Sequence, residues 1–190
     1  MDVTIPCRCR ISLRNEELFE AGIIIEDEKG NSLARIYLPE SSRNQGFSRH
    51  LGFFKNPKHY ELCLEVGGTL AVRLVARARH ANSVPQNEIF TASGESAGKI
   101  EVKLSAMRVP TRRDRATVRD ASGQEVGYFE LAAGLLSVTC KFVDQVRGWD
   151  YEMLAAENGL IRSETAKVID ARLLLAWVYY TRFYLEALDE

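Results

Sequence analysis

The stretch VRDASGQEVGYF at residues 118–129 decides the fold, because a second stretch, IEDEKGNSLARI at residues 25–36, follows the same pattern. Both have the form apolar–x–Asp–x–x–Gly–x–x–apolar–small–x–apolar. An Asp at the start of a turn accepts hydrogen bonds from backbone N–H groups ahead of it, and a Gly supplies the positive φ at the end of the turn. Apolar residues alternate on both sides, so each stretch predicts a β-hairpin with a connection of four or five residues.

A third stretch, TASGESAGKI at 91–100, shares Ala-Ser-Gly and the later glycine with the second, but has Thr91 in place of the Asp. It indicates a third hairpin of the same plan. Apolar and polar residues also alternate in ELCLEV (61–66) and KIEVKLSAMRV (99–109), and the GG pair at 67–68 predicts a tight turn. These segments together predict about ten to twelve short antiparallel strands, which is typical of a barrel or a sandwich.

The C-terminal segment ETAKVIDARLLLAWVYYTRFYLEALDE (164–190) breaks this pattern, because it contains neither Gly nor Pro and follows Ser163, a plausible helix start. Residues 173–180 have no polar face, and a helix that is apolar all round is buried all round. Arg172 and Arg182 interrupt the run before it reaches the roughly 20 apolar residues of a membrane span. We therefore expect a buried helix over about 164–188, although VYYTRFYL also fits a buried strand.

The two Asp-x-x-Gly hairpins, together with the terminal VIDARLLLAWVYYTRFYLEALDE, resemble the tubby C-terminal-like superfamily, and most closely its LURP-one-related and phospholipid scramblase-like members. The resemblance extends over roughly residues 20–190. It implies a single domain over residues 1–190: a β-rich (α+β) fold with a closed antiparallel barrel of about 10–12 strands around a buried hydrophobic C-terminal helix. The calcium-binding segment and membrane-spanning tail of scramblases are not recognisable, and tubby's phosphoinositide-binding residues have no residue-by-residue match. The resemblance therefore implies the fold rather than lipid scrambling.

The composition is that of a globular protein with a net charge of −1, so no nucleic-acid partner is expected. The start, MDVTIPCRCR, lacks the apolar segment of a signal peptide. The four cysteines, Cys7, Cys9, Cys63 and Cys140, are expected to be reduced structural thiols. The expected location is the cytoplasm, peripheral to a membrane if the ligand is a lipid.

No catalytic or metal-binding pattern is present in the sequence. The histidines, His50, His59 and His80, lack ligand spacing, and no G-x-S-x-G or phosphate-loop motif occurs. We therefore expect a protein that is not an enzyme and that has no cofactor and no metal site.

Two basic stretches are the candidate ligand sites. The first, SSRNQGFSRHLGFFKNPKHY (41–60), mixes basic residues with aromatic rings that could dip beneath an anionic head group. The second, MRVPTRRDRATVRD (107–120), is rich in guanidinium groups, whose forks suit phosphate. The predicted anion ligands are Arg49, Lys55, Lys58, Arg108, Arg112, Arg113 and Arg115, and the predicted membrane or ligand contacts are Phe53 and Phe54. The alternatives are a solvated loop whose phenylalanines pack on the barrel end, and an ordinary charged exterior.

The sequence thus predicts a non-enzymatic intracellular binding module for an anionic ligand such as a phospholipid head group. The alternative is a protein–protein interaction scaffold. A weaker alternative is a small-molecule carrier or an enzyme that uses the barrel interior, which a buried helix would oppose.

Overall fold

The computed structural model describes residues 3–11, 22–43, 59–77, 86–103, 112–133, 138–154 and 159–180. Twelve of its strands, β2 to β13, form a closed antiparallel barrel in chain order, and β13 pairs with β2 to close it. This confirms the predicted fold class. The strands are β1 Thr4–Pro6, β2 Cys9–Ile11, β3 Ile23–Glu26, β4 Ser32–Tyr37, β5 His59–Val66, β6 Thr69–Arg77, β7 Gln86–Thr91, β8 Ser96–Lys103, β9 Arg112–Arg119, β10 Glu125–Ala133, β11 Val138–Asp144, β12 Trp149–Leu154, β13 Leu160–Arg162 and β14 Val168–Asp170; the helices are α1 Glu40–Arg43 and α2 Ala171–Tyr179.

The two Asp-x-x-Gly stretches form the β3–β4 and β9–β10 hairpins, as predicted. In both turns the Asp N–H donates to the carbonyl four residues ahead at 2.9 Å, and the Gly N–H donates back to the Asp carbonyl at 3.0–3.1 Å. Asp27 Oδ1 and Asp120 Oδ1 each accept from backbone N–H groups two and four residues ahead, at 2.8–3.0 Å. Gly30 (φ 81°) and Gly123 (φ 88°) adopt the left-handed conformation that favours glycine.

The third stretch forms the β7–β8 hairpin with the same backbone hydrogen bonds, at 2.9 and 3.0 Å. The hydroxyl of Thr91 replaces the missing carboxylate and accepts from the Glu95 N–H at 3.1 Å. The later glycines shared by the second and third stretches, Gly98 and Gly127, lie where neighbouring strands approach closely. A Cβ on Gly98 would stand 1.9 Å from the Arg119 carbonyl oxygen, and one on Gly127 would stand 2.2 Å from the Val143 carbonyl oxygen.

Helix α2 lies inside the barrel, and all nine of its residues are buried. Strand residues that alternate along the pleat face it, including Leu62 and Leu64 of β5, both fully buried. Aromatic rings connect the wall to the chain just after the helix: the Phe129 ring centroid lies 5.6 Å from that of Tyr180 and 5.4 Å from that of Phe142. Each fully buried large apolar side chain contributes about 1.5–3 kcal/mol, so barrel and helix stabilise each other.

The helix begins at Ala171, so the predicted start at Ser163 and Glu164 is wrong. The intervening residues include β14, which pairs with β1 at the opposite end of the chain; Pro6, for example, lies opposite Val168. Asp170 caps the helix, since its carboxylate accepts from the Arg172 N–H at 2.9 Å. The predicted end near residue 188 lies outside the described residues.

The β1–β14 ribbon leaves the barrel wall at Arg8, whose φ of 63° breaks the strand between Cys7 and Cys9. The Ala171 N–H donates to the Val3 carbonyl at 2.9 Å, and the Tyr151 hydroxyl donates to the Val168 carbonyl at 2.7 Å. The ribbon therefore fixes the start of α2 against the barrel.

The barrel has two distinct ends. Because neighbouring strands are antiparallel, the short turns of the β3–β4, β5–β6, β7–β8, β9–β10 and β11–β12 pairs share one end, which we call the turn end. Helix α2 starts at this end, because its first residues contact the strands just after their turns. Arg172 Nη1 donates to the Ala97 carbonyl of β8 at 3.2 Å, and Leu173 packs against Gly127 of β10, where an added Cβ would lie 3.2 Å from Leu173 Cδ2. We call the opposite end the distal end.

Candidate functional site

Arg115 is the one predicted anion ligand whose side chain the structure describes. Arg112 and Arg113 lie in β9, where their backbones face Ala133 and Ala132 of β10. The other predicted ligands and contacts, Arg49, Lys55, Lys58, Arg108, Phe53 and Phe54, lie outside the described residues.

Arg115 lies on the outer face of β9, where residues of β9 and β10 hold its guanidinium group. Arg115 Nη2 contacts Glu125 Oε1, and Nε donates to Thr117 Oγ1 at 3.3 Å. The guanidinium carbon lies 3.5 Å from the centroid of the Tyr128 ring, a close cation–π contact. An anion that binds at Arg115 would therefore have to compete with Glu125.

The contacts of Arg115 belong to a chain of alternating charges across β8, β9 and β10. Lys99 Nζ lies 2.7 Å from Glu101 Oε1, and Arg119 Nε donates to Glu101 Oε2 at 2.8 Å. Arg119 Nη2 lies 3.8 Å from Glu125 Oε2. Hydrogen bonds from Arg119 and then Lys99 hold the pKa of Glu101 below its usual value. These three cations and two carboxylates therefore carry a net charge of only +1.

The two basic stretches both follow or precede strand ends that lie at the distal end. Tyr37 ends β4 and His59 begins β5, while Lys103 ends β8 and Arg112 begins β9. Each of these residues lies at the end of its strand opposite the short turns. Residues 38–58, which include α1, connect the first pair of strands, and residues 104–111 connect the second pair.

Two fully buried carboxylates lie near the turn end, and the sequence prediction missed both. Asp170 pairs with Arg172 through two contacts, at 3.0 Å to Nε and 2.8 Å to Nη2. Asp144 accepts from the Arg147 N–H at 2.9 Å and from Arg147 Nη1 at 2.7 Å. The signal that could have found Asp170 is its position immediately before the apolar helix, which is typical of an N-cap.

These buried pairs stabilise the fold at the point where the helix enters the barrel. Removing one partner of a buried ion pair leaves an uncompensated charge, which costs about 3–5 kcal/mol. Asp144 and Asp170 each accept from a backbone N–H and from a guanidinium group, and Arg172 also donates to the Ala97 carbonyl. The arrangement therefore explains how α2 is anchored, and its geometry indicates a structural role.

Cys7, Cys9 and Cys63 are free thiols, as predicted, while the side chain of Cys140 is not among those described. Burial raises the pKa of Cys9 to about 12 and that of Cys63 to about 11. Since the thiolate is the reactive form, these groups are poor nucleophiles near neutral pH. Within the described segments, no group of three or more His, Cys, Asp or Glu residues is arranged to hold a metal ion.

Comparisons with known proteins found no family model, no curated protein and no solved structure that matches this chain. Among the described residues, none of the helices is long and apolar enough to cross a membrane.

Proposed function

We propose that this chain is a non-enzymatic binding module that acts through its outer surface on an anionic ligand such as a phospholipid head group. The observation that carries the proposal is the position of α2, whose nine residues are all buried inside the barrel. Binding pockets of barrels usually open into the interior, but here the axis is occupied by the chain's own helix. A ligand is therefore expected to bind outside the wall or at one end.

The charges of the sequence favour the distal end as the binding region. Residues 44–58 contain Arg49, Lys55 and Lys58 and no acidic residue, and residues 104–111 contain Arg108 and no acidic residue. The short turns at the other end contain acidic residues, such as Asp27 and Asp120. Basic side chains near an anionic surface each contribute about 1 kcal/mol to binding, and Phe53 and Phe54 would add apolar contact.

Membership of the tubby C-terminal-like superfamily is part of the proposal. It is supported by the architecture, a closed twelve-strand antiparallel barrel around a C-terminal helix. The proposed setting is the cytoplasmic face of a membrane, with the protein attached peripherally.

A protein–protein interaction scaffold is the second candidate function. The alternating charges of Lys99, Glu101, Arg119, Glu125 and Arg115 favour it, because a set of ion pairs with a net charge of only +1 has little general attraction to an anionic surface. In this alternative the wall would contact another protein. An enzyme or small-molecule carrier that uses the barrel interior is disfavoured by the position of α2.

The test is co-sedimentation of the full chain with liposomes, comparing phosphatidylcholine alone with phosphatidylcholine that contains a phosphoinositide. We expect binding to the acidic liposomes only, weaker at physiological than at low salt. The double variants Lys55→Ala/Lys58→Ala and Arg112→Ala/Arg113→Ala should each weaken binding by roughly 10- to 30-fold, since each removes two basic side chains.

A matched control is Lys141→Ala/Arg162→Ala, which removes the same charge from exposed ion pairs with Asp150 and Glu152 on β12. This variant should bind acidic liposomes almost as well as the unmodified chain. Equal loss in all three variants would indicate only a general charge effect. Absence of binding to both kinds of liposome would refute the lipid proposal and favour the scaffold.

A further inference from the structure

Four residues on the outer face of the wall, none of them part of the two basic stretches, form a row across four neighbouring strands, in which Cys63 is only 5% exposed. Tyr37 of β4 lies opposite Cys63 of β5, Cys63 lies opposite Arg73 of β6, and Arg73 lies opposite Phe90 of β7. We call these four residues the aromatic row. Three members of the row have a fully buried core residue next to them in sequence: Leu64 follows Cys63, Leu74 follows Arg73 and Ile89 precedes Phe90. Since side chains alternate between the two faces of a strand, the row lies on the outer face.

The guanidinium group of Arg73 is held in the row without hydrogen bonds. Its Nε is buried and has no hydrogen-bond partner, and within the described residues neither Nη1 nor Nη2 makes a hydrogen bond. The nearest carboxylate oxygen, Glu61 Oε1, lies 3.8 Å from Nη1, which is too far for one. By contrast, Arg119 Nε donates to a carboxylate at 2.8 Å.

Arg73 is also partly removed from water. Its side chain is 37% exposed, and the guanidinium carbon lies 5.6 Å from the centroid of the Phe90 ring. Since Nε is buried, the accessible donors are those of Nη1 and Nη2, at the tip. A guanidinium group that is already partly dehydrated and flanked by a ring loses less hydration when it binds an anion than a fully exposed one does.

The surroundings of Arg73 select the kind of anion. Glu61 lies 3.8 Å away, and Glu65, which accepts from the Tyr37 hydroxyl at 2.8 Å, lies on the same face. These carboxylates would repel a phosphate dianion or an acidic membrane more strongly than a single carboxylate. Arg and aromatic residues are enriched at the centres of protein–protein interfaces, where a charged partner group packs beside apolar surface.

We propose that the aromatic row binds an Asp or Glu side chain of a partner protein. The partner's carboxylate binds Nη1 and Nη2 of Arg73, and the partner's neighbouring apolar residues pack against Phe90 and Tyr37. None of these residues belongs to the basic stretches, and the proposal does not depend on the lipid proposal. Glu61 competes for the same guanidinium group at 3.8 Å, so the partner carboxylate displaces this longer contact rather than a short ion pair.

The test uses two small probes that differ in one group: N-acetylglutamate α-amide, which carries the carboxylate, and N-acetylglutamine α-amide, which does not. The full chain is titrated with each at constant ionic strength while the arginine Nε–Hε signals are followed by NMR. The Arg73 signal is assigned by its loss in Arg73→Lys. We expect it to shift saturably with the glutamate probe and several-fold less with the glutamine probe.

The signal of Arg119 serves as the internal control, because that guanidinium already bonds Glu101 and the Gly123 carbonyl. It should move less than the signal of Arg73. In Glu61→Gln the competing carboxylate is absent, so the glutamate probe should bind roughly two- to fivefold more tightly. Equal shifts of both arginines, equal effects of both probes, or unchanged affinity in Glu61→Gln would overturn the proposal.

Discussion

Replacing Trp177 by Asp tests whether the barrel depends on its internal helix. Trp177 is only 3% exposed in α2. Truncating a buried aromatic side chain costs about 3–5 kcal/mol, and an unpaired buried carboxylate adds several kcal/mol more. Their sum reaches the total stability of a typical domain, about 5–15 kcal/mol. We therefore expect Trp177→Asp to be unfolded, or nearly so, at 25 °C.

The assay is urea denaturation followed by far-UV circular dichroism, with Val146→Asp as the matched control. Val146 lies in the β11–β12 turn and is 62% exposed, so the same new carboxylate there should change the free energy of unfolding by no more than about 0.5 kcal/mol. The reasoning would be refuted if Trp177→Asp unfolded cooperatively at the same urea concentration as Val146→Asp.

Three further predictions concern the barrel wall. Asn87 is 4% exposed, its Oδ1 has no hydrogen-bond partner, and its Nδ2 donates only at 3.4 Å, to the Ile100 carbonyl. Asn87→Leu should therefore raise the free energy of unfolding by about 1 kcal/mol in urea denaturation, whereas a decrease would show that the amide is satisfied in solution. Gly98→Ala should lower the free energy of unfolding by more than about 2 kcal/mol, because the new Cβ meets the Arg119 carbonyl oxygen. Gly30→Ala, where a Cβ has open space, should lower it by only about 1 kcal/mol, and equal losses in the two variants would contradict the close approach at Gly98. Burial and the hydrogen bond to Glu65 raise the pKa of Tyr37 to about 12, against about 10 in the unfolded chain, so its contribution to stability is complete below pH 10 and is lost as the pH rises to about 12. Denaturation across that range should show a smaller decline in Tyr37→Phe, and an unchanged decline would refute the assignment.

The hairpins could be predicted from the sequence because their determinants are local. Asp27 and Asp120 bond to backbone groups no more than four residues ahead, and the glycine that ends each turn lies within the same stretch. Even the replacement of Asp by Thr91 left the pattern recognisable, since a hydroxyl accepts one of the same hydrogen bonds. The strand count followed from these turns and from the alternation between them.

The start of α2 was misplaced because one of its determinants is far away in sequence, whereas the other, the N-cap Asp170, is local. Residues 168–170 become a strand only through pairing with β1, and the apolar character of Val168 and Ile169 suits a buried strand and a buried helix equally. The Asp144–Arg147 and Asp170–Arg172 pairs were missed for a related reason. Charged residues close in sequence are common, and only the closed barrel makes these carboxylates buried.

The candidate surfaces were predictable only in part. The basic stretches are visible in the composition, but the close contact of Arg115 with Glu125 depends on how the β9–β10 hairpin aligns its strands. The aromatic row could not be seen at all in the sequence. It is assembled by the register of four strands, and the register shift at Leu64 and Glu65 between β5 and β6 is not encoded in a recognisable motif.

The most direct test of the central claim, that the barrel is filled by its own helix and acts from the outside, is amide hydrogen exchange measured residue by residue. A helix of nine residues is marginal in water by itself, so any strong protection of α2 must come from the surrounding wall. We predict that amides of residues 175–179 exchange as slowly as those of the β9–β10 pair. The free energy of opening calculated from these rates should equal the free energy of global unfolding. Exchange of these helix amides that is much faster than that of β9 and β10, through local opening while the wall stays intact, would contradict the account.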